Sequence, residues 1–306
     1  MSKAVLAVHG GAGVIRKGML EPAQEQAYHA ALATALQAGY AILNQGGTSL
    51  DAVCAAVKEL EDCPLFNAGR GSVFTHDGLH EMDACVMEGK ELDAGAVAGV
   101  DGIRNPVLAA RAVMEHSEHV LLSGAGAVAF ARNQGLAFES ETWFHSDFRY
   151  AQWQEALAED RVRLDHSEKK FGTVGAVACD VHGNLAAATS TGGMTNKRWG
   201  RIGDSPVPGA GTYANNAGCA VSCTGHGEFF LRGVVAYDVH CLMEYRGLSL
   251  QEASELVICQ KQLALGGEGG LIAVDAEGNS AMVFNSEGMY RGLVSAKGLE
   301  TAIYGG

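Results

Sequence analysis

The sequence has no long hydrophobic run and no excess of positive charge. The apolar run near its start extends only from Ala4 to Val8, too short for the core of a signal peptide and far short of a membrane span. The formal net charge at pH 7 is -13, whereas surfaces for nucleic acid or anionic membranes normally gather lysine and arginine on one face. We therefore expect a cytoplasmic globular protein that binds neither nucleic acid nor membranes and acts on a small molecule or a peptide.

Motifs of several common sites are also missing. The 8 cysteines form no CxxC pair and have no histidine at zinc-finger spacing, so we expect buried reduced thiols, with no disulfide framework or side-chain metal site. Neither GxSxG nor HExxH occurs. Glycine, in contrast, is abundant, with 41 of 306 residues. Without a collagen-like period, this abundance indicates tight turns and close approaches of backbone to backbone or ligand.

Segments with helical periodicity alternate with short apolar runs of strand character. We predict helices over residues 21–43, 48–60, 105–115, 127–133, 228–245 and 249–265. We predict strands over residues 4–9, 72–75, 84–87, 94–100, 119–123, 173–180, 185–191, 220–224, 271–274 and 281–284. This order of elements favours an α+β protein in which helices cover β-sheets.

A charged segment precedes the strand that begins at Thr173. Residues 152–172 lose the hydrophobic periodicity, so we expect a mobile surface linker. A threonine hydroxyl is a poor nucleophile unless a base lies beside it, and a free α-amino group on the same residue can be that base. The nitrogen of Thr173 becomes an amine only if the Gly172–Thr173 bond is cut, and Gly172 has no side chain to oppose the strained geometry of that step.

Other interpretations of the sequence compete with this one. Residues 124–129 loosely match the dinucleotide-binding fingerprint after a predicted strand, but no acidic residue follows at the required distance. A nucleotide-dependent oxidoreductase is therefore the weaker alternative, and a cofactor titration would exclude it. A noncatalytic binding protein would run as one intact band on a denaturing gel. His9, His226 and His240 have no nucleophile motif beside them, and for His240 a structural role is the better interpretation.

Six blocks of the sequence together resemble the plant-type L-asparaginases and bacterial isoaspartyl peptidases. They are HGGAG (9–13), LEDCPLFNAGRGSVFT (60–75), GTVGAVA (from 172), TSTGGMTNK (189–197), GRIGDSP (200–206) and SCTGHGE (222–228). The resemblance implies the four-layer αββα fold of N-terminal nucleophile hydrolases in one domain, residues 1–306. It also implies a precursor that cuts itself into an α subunit (1–172) and a β subunit (173–306), which assemble as (αβ)2.

The activity implied is hydrolysis of β-aspartyl dipeptides and of the side-chain amide of L-asparagine. No catalytic cofactor is expected. The nearest alternative is a glycosylasparaginase-like amidase, which shares the fold and the threonine chemistry but acts in a secretory or lysosomal setting. The absence of a signal-peptide pattern argues against it. The preference between asparagine and β-aspartyl peptides stays open, because both present the same head group.

The resemblance also implies roles for particular residues. Thr173 is the nucleophile and base, Thr191 orients it, and Thr224 and Gly225 form the oxyanion hole. Arg201 and Asp204 bind the α-carboxylate and α-ammonium of the substrate, Gly227 leaves room for that ammonium, and Asn67 lies near the reacting group. His226 receives no role.

The segment from residue 60 to 70 resembles the family's sodium loop, in which backbone carbonyls surround a monovalent cation. The implied ligands are the carbonyl oxygens of Leu60, Glu61, Cys63, Phe66, Ala68 and Arg70. Arg70 replaces the aliphatic residue expected at its position, and a positive charge there opposes cation binding.

Overall fold

A computed structural model describes residues 3–159, 162 and 172–305. The described chain forms two β-sheets, one of eight strands and one of four. The strands are β1 (Val5–Gly13), β2 (Met82–Glu88), β3 (Ala94–Val100), β4 (Leu121–Ser123), β5 (Val174–Cys179), β6 (Leu185–Thr191), β7 (Thr212–Ala214), β8 (Cys219–Gly225), β9 (Gly269–Asp275), β10 (Ser280–Phe284), β11 (Gly288–Ser295) and β12 (Gly298–Tyr304).

The helices are α1 (Pro22–Asn44), α2 (Ser49–Asp62), α3 (Pro106–His116), α4 (Gly124–Asn133), α5 (Glu141–Phe144), α6 (Asp147–Ala158), α7 (Gly227–Gly233), α8 (Val235–Arg246), α9 (Leu250–Glu255) and α10 (Leu263–Leu265). A π-helical stretch, Leu256–Gln262, joins α9 to α10, and a 3-10 turn spans Gly69–Gly71. The predicted cap of α2 is confirmed, since the Thr48 hydroxyl accepts the Asp51 N–H at 3.1 Å.

The order of strands puts β5 inside the larger sheet. That order is β12-β11-β1-β5-β6-β2-β3-β4, and all neighbours are antiparallel except β3 and β4. The smaller sheet has the order β10-β9-β8-β7 and is antiparallel throughout. The residue that begins β5 is therefore flanked by the ends of β1 and β6.

Three buried cores hold the elements together. Apolar side chains such as Ala7, Val177 and Ile272 fill the space between the two sheets. Helices α1, α2 and α3 cover the other face of the larger sheet, and α8 and α9 cover the other face of the smaller one. Because burial of one valine or leucine side chain contributes roughly 1.5–3 kcal/mol, these cores supply most of the stability.

The expected linker is partly wrong. Residues up to Ala158 continue helix α6, whose first turn is capped by the Ser146 hydroxyl accepting the Arg149 N–H at 3.2 Å. One side of this charged segment packs against the protein, because Trp153 stacks on Phe74 with ring centroids 5.4 Å apart. Gly172, at the other end, is buried. Residues 160, 161 and 163–171 of the expected linker lie outside the described residues.

Other differences from the predicted elements have local causes. Residues 72–75 form no strand, and Thr75 makes only an isolated bridge to Lys197. The helix expected over 228–245 is divided at Val234, whose left-handed backbone (φ 47°) ends α7 before α8 begins. Strands β7, β11 and β12 were missed. β7 has only three residues, β11 has a glycine at a buried position of its alternation, and the edge strand β12 is mostly exposed or half-exposed, so none of them shows a clear apolar alternation in the sequence.

Candidate active site

Two threonine hydroxyls meet where β5 begins and β6 ends. Thr173 immediately precedes β5, and its Oγ1 donates to Oγ1 of Thr191 at 3.1 Å. The backbone N–H of Gly193 also donates to the Thr191 hydroxyl, at 3.0 Å. Both threonines are buried. Thr191 therefore has the Thr173 hydroxyl on one side and a fixed backbone donor on the other.

Asn67 supports the turn that follows Thr191. Its side-chain amide donates to the carbonyl of Gly193 at 2.7 Å, and its Oδ1 accepts the N–H of Val73 at 3.0 Å. Asn67 is fully buried, so these contacts hold it in one orientation. Asn67 therefore contacts the backbone of Gly193, whose N–H donates to the Thr191 hydroxyl.

Arg201 forms an ion pair with Glu228, which was not among the predicted site residues. Its Nε and Nη2 donate to the two carboxylate oxygens of Glu228, each at 2.9 Å. His226 Nε2 lies 3.1 Å from Glu228 Oε2. The hydrogen bond from His226, together with Arg201, holds the pKa of Glu228 well below its usual value despite partial burial. His226, which received no role, thus helps keep the partner of Arg201 ionised.

Asp204 is a buried carboxylate with an unsatisfied oxygen. Among the described residues, its Oδ2 has no hydrogen-bond partner. Burial raises the pKa of Asp204 to about 7, although its own backbone N–H and the charge of Arg201 act in the opposite direction. A Cβ added to Gly227 would lie 2.7 Å from Arg201 Nη2 and 2.9 Å from Asp204 Oδ1. Only glycine at position 227 leaves this space free.

A small cavity joins these groups. It is lined by Gly172, Thr173, Thr191, Gly193, Met194, Arg201, Gly203, Asp204, Ser205 and Gly225. Its volume is about 20 Å³, room for a water but not for an amino acid. Gly172 is part of the wall, so the peptide ahead of Thr173 occupies space beside the hydroxyl.

Thr224 and Gly225 end strand β8 close to this cavity. The Thr224 hydroxyl is buried and has no hydrogen-bond partner within the described part of the chain. Gly225 is one of the residues that line the cavity. An unpaired buried hydroxyl is costly, so this one is available for a bond to a ligand.

The segment from residue 60 to 70 forms a loop after α2. The carbonyls of Leu60, Phe66 and Ala68 each accept one backbone N–H, at 3.3, 3.0 and 3.1 Å. A carbonyl has two lone pairs, so each keeps one for a further partner. The guanidinium of Arg70 lies over the Trp143 ring, 4.4 Å from its centroid. This contact directs the charge of Arg70 to an aromatic face.

The competing features of the sequence have ordinary structural explanations. Gly124 begins α4 after the three-residue strand β4, and a Cβ at Gly124 or Gly126 would meet open space. His240 is buried, with Nε2 at 2.9 Å from Glu244. No helix in the described ranges is both long and apolar enough to cross a membrane.

Comparisons with known proteins agree with one another. A family model described as asparaginase, Asparaginase_2, matches residues 2–303. The chain is 59% identical over 297 residues to the isoaspartyl peptidase of Salmonella typhimurium, with 95% of each chain covered. It is 57% identical to the isoaspartyl peptidase of Escherichia coli, covering 95% of this chain and 92% of that one. It is 44% identical to the plant-type L-asparaginase of Pyrococcus abyssi, covering 92% and 93%.

Proposed function

The chain belongs to the asparaginase family, and from that premise we propose that it is an isoaspartyl peptidase and L-asparaginase with Thr173 as nucleophile. The observation that carries this proposal is the 3.1 Å contact between the hydroxyls of Thr173 and Thr191, in a cavity that Arg201 and Asp204 also line. The relatives named isoaspartyl peptidase, at 59% and 57% identity, support the same reaction.

Activity requires cleavage of the Gly172–Thr173 bond. Until then the nitrogen of Thr173 is an amide without basicity, whereas a free α-amino group has a reference pKa of about 7.7–8.0. The cut would give chains 1–172 and 173–306. It would also release Gly172 from the cavity wall, which supports the idea that cleavage both creates the base and opens room for substrate.

Substrate binding uses opposite charges at one end of the cavity. The guanidinium of Arg201 binds the α-carboxylate while it keeps its contact with Glu228, because a guanidinium has five donors. The carboxylate of Asp204 accepts from the α-ammonium, which restores the ionised form that burial disfavours. Gly227, having no side chain, leaves space for the ammonium between them.

The reaction then passes through an acyl-enzyme. The Thr173 amine takes the hydroxyl proton as Oγ1 attacks the side-chain carbonyl, and Thr224 and Gly225 stabilise the oxyanion. Loss of one such donor typically costs about 2.7–4 kcal/mol in the barrier. The ammonium returns the proton to the leaving ammonia or amino acid. Water, deprotonated by the same amine, releases aspartate, and Thr191 keeps the hydroxyl oriented throughout.

Two further features belong to this proposal. The carbonyls of Leu60, Glu61, Cys63, Phe66, Ala68 and Arg70 would hold a structural sodium ion. Spare lone pairs on three of these carbonyls fit a hard cation, and the guanidinium of Arg70 packs on the Trp143 ring. The sheets and helices support the αββα arrangement of layers within one αβ unit. The proposal also includes the association of two such units as (αβ)2.

The test is a comparison of Thr173→Ala with Thr173→Ser. Thr173→Ala should stay a single chain on a denaturing gel and hydrolyse neither substrate, because it has no hydroxyl to attack either bond. Thr173→Ser keeps the hydroxyl and should still be cut, with N-terminal sequencing placing the cut before residue 173. A processed or active Thr173→Ala variant would refute the proposal. Assay on a glycosylated asparagine separates it from a glycosylasparaginase-like amidase.

A further inference from the structure

The start of β9 lies directly against the end of β8, where Gly269 pairs with Gly225. A Cβ added to Gly225 would overlap the carbonyl oxygen of Glu268. A Cβ added to Gly269 would overlap the carbonyl oxygen of Thr224. The fully buried ring of Phe230 lies 2.7 Å and 2.9 Å from these two added atoms. Because the two backbones touch without room for a side chain, the position of Gly269 sets the position of Gly225.

The backbone N–H of Gly225 points away from β9. Successive N–H groups along a strand point to alternate sides. The N–H of His226 donates to the carbonyl of Glu268 on the β9 side, at 3.1 Å. The N–H of Cys223 donates to the carbonyl of Gly211 on the β7 side, at 2.8 Å. Gly225 shares the side of Cys223 but lies beyond the pairing of β7 with β8, and it lines the cavity. Its N–H therefore lies on a side that strand pairing leaves open, as an oxyanion donor requires.

Asn285, the residue after β10, holds the start of β9 through its side-chain amide. Its Oδ1 accepts the N–H of Gly269 at 2.9 Å. Its Nδ2 donates to the carbonyl of Gly267 at 2.9 Å and to the carbonyl of Ile258 at 3.0 Å. The orientation of the amide is fixed, because an N–H can only donate and a carbonyl can only accept. One side chain thus joins both ends of the segment Gly267–Gly269 to a third point of the backbone.

That third point belongs to the core that covers the smaller sheet. Ile258 lies in the π-helical stretch, its side chain is fully buried, and it belongs to the same core cluster as Phe230. The backbone N–H of Asn285 also donates to the carbonyl of Gly269, at 2.9 Å. The segment Gly267–Gly269 therefore cannot shift relative to this core without breaking hydrogen bonds of Asn285.

We propose that Asn285 is a positioning residue for the oxyanion hole. By holding Gly267 and Gly269 against the core, it fixes the backbone of Gly225 and hence the direction of the Gly225 N–H. A misplacement of about 1 Å in a catalytic arrangement can lower a rate about a hundredfold, so a modest shift of this backbone has a large effect. The inference rests on the proposed function, because the oxyanion forms only in that reaction.

Asn285→Ala tests the proposal by removing all three side-chain hydrogen bonds. We expect kcat per cut chain to fall about tenfold or more while KM changes less than about threefold, as for an interaction made in the transition state. The fold loss should be the same for L-asparagine and for a β-aspartyl dipeptide, because the oxyanion forms on the same carbonyl in both. An unchanged kcat, or a loss that appears in KM alone, would overturn the inference.

Asn216→Ala is the matched control for lost hydrogen bonds. Asn216 is half-buried like Asn285, and its side chain accepts the N–H of Leu185 at 2.9 Å and donates to Asn184 at 3.0 Å. It precedes β8, at the end of that strand remote from Gly225. This variant should have a lower melting temperature but an unchanged kcat. Equal losses of kcat in both asparagine variants would indicate general destabilisation and contradict the positioning role.

Gly269→Ala moves the same backbone without touching Asn285, because the added methyl group overlaps the Thr224 carbonyl. We expect its kcat also to fall with little change in KM. Gly298→Ala is its control, since Gly298 also has positive φ (126°, against 150° at Gly269) but nothing within 4 Å of an added Cβ. Equal kcat values in the two glycine variants would show that the position of Gly225 does not limit the reaction, which overturns the inference. A wild type that hydrolyses neither substrate would instead refute the proposed function.

Discussion

The pKa values of two carboxyl groups near the cavity are shifted in opposite directions. Glu228 stays ionised because His226 and Arg201 donate to it, whereas Asp204 has a free oxygen and a pKa of about 7. A carboxylate without a cation partner is costly inside a protein, and a substrate ammonium supplies that cation. At the scale of single residues, the site is thus prepared for an amino-acid head group at the expense of stability.

Asp204 gives a prediction for pH dependence. In the free enzyme, kcat/KM should fall as the pH drops through about 7, because protonated Asp204 no longer attracts the α-ammonium. The folded-state pKa lies above the unfolded value of about 3.8, so the native state binds this proton more tightly. The stability that this proton contributes is complete below the unfolded pKa and is lost as the pH rises toward 7.

Asp204→Asn tests both consequences. At pH 8 the variant should melt at a higher temperature than the wild type, because no buried charge remains. Its KM should rise about tenfold or more, since hydrogen bonds to charged groups contribute about 1.5–3 kcal/mol. Exposed Asp77→Asn is the control and should change neither quantity. A variant that is no more stable than the wild type at pH 8 would show that Asp204 is not a strained charge.

At the scale of elements, the glycines of β1 let the chain ahead of Thr173 approach closely. The pairing of β1 with β11 shifts between His9 and Ala12, where the strand is irregular. A Cβ at Gly11 would lie 2.7 Å from the nitrogen and 2.9 Å from the oxygen of Gly172. The irregular part of β1 therefore sets the position of the peptide to be cut.

Gly11→Ala should slow the cut before Thr173. The added methyl group has no space against Gly172, and the backbone at Gly11 (φ 109°) is one that alanine rarely adopts. Gly18→Ala is a matched control, because Gly18 also has positive φ (89°) but nothing within 4 Å of an added Cβ. The fraction of cut chain over time on denaturing gels measures the effect. Equal rates in the two variants would contradict the prediction, because they would show that the contact with Gly172 has no influence on cleavage.

At the scale of the whole molecule, the two predicted chains are interleaved. In the larger sheet, β12 and β11 lie beside β1, and β5 and β6 lie between β1 and β2. A cut before Thr173 thus leaves strands of one chain hydrogen-bonded on both sides to strands of the other. The cores between and outside the sheets also draw residues from both chains.

The cut protein should therefore behave as one folding unit. We expect both chains to co-elute in native size-exclusion chromatography and to unfold in a single calorimetric transition, because the larger sheet is built from strands of both chains. They should separate only in denaturant. Release of either chain under native conditions would contradict the interleaved sheet. The elution volume also measures whether two such units associate, as expected for (αβ)2.

The sequence alone was sufficient where the signal is local or motif-based. Helix α1 was predicted from its composition, and helix α2 from its helical spacing and the capping pair Thr48 and Asp51. The β5–β6 hairpin was predicted from two apolar runs on either side of a turn. The blocks around Thr173, Thr191, Arg201 and Thr224 indicated the family, which the comparisons confirm.

The tertiary structure alone decided which distant groups meet. Arg201 contacts Glu228, 27 positions away, and His9 contacts Ser222, 213 positions away. Such pairs depend on sheet register and on the packing of two sheets, which bring residues together without any pattern in the local sequence. For the same reason, the pKa of Asp204 was beyond the sequence. It depends on burial and on the charges within reach, and these are defined only once the chain has folded.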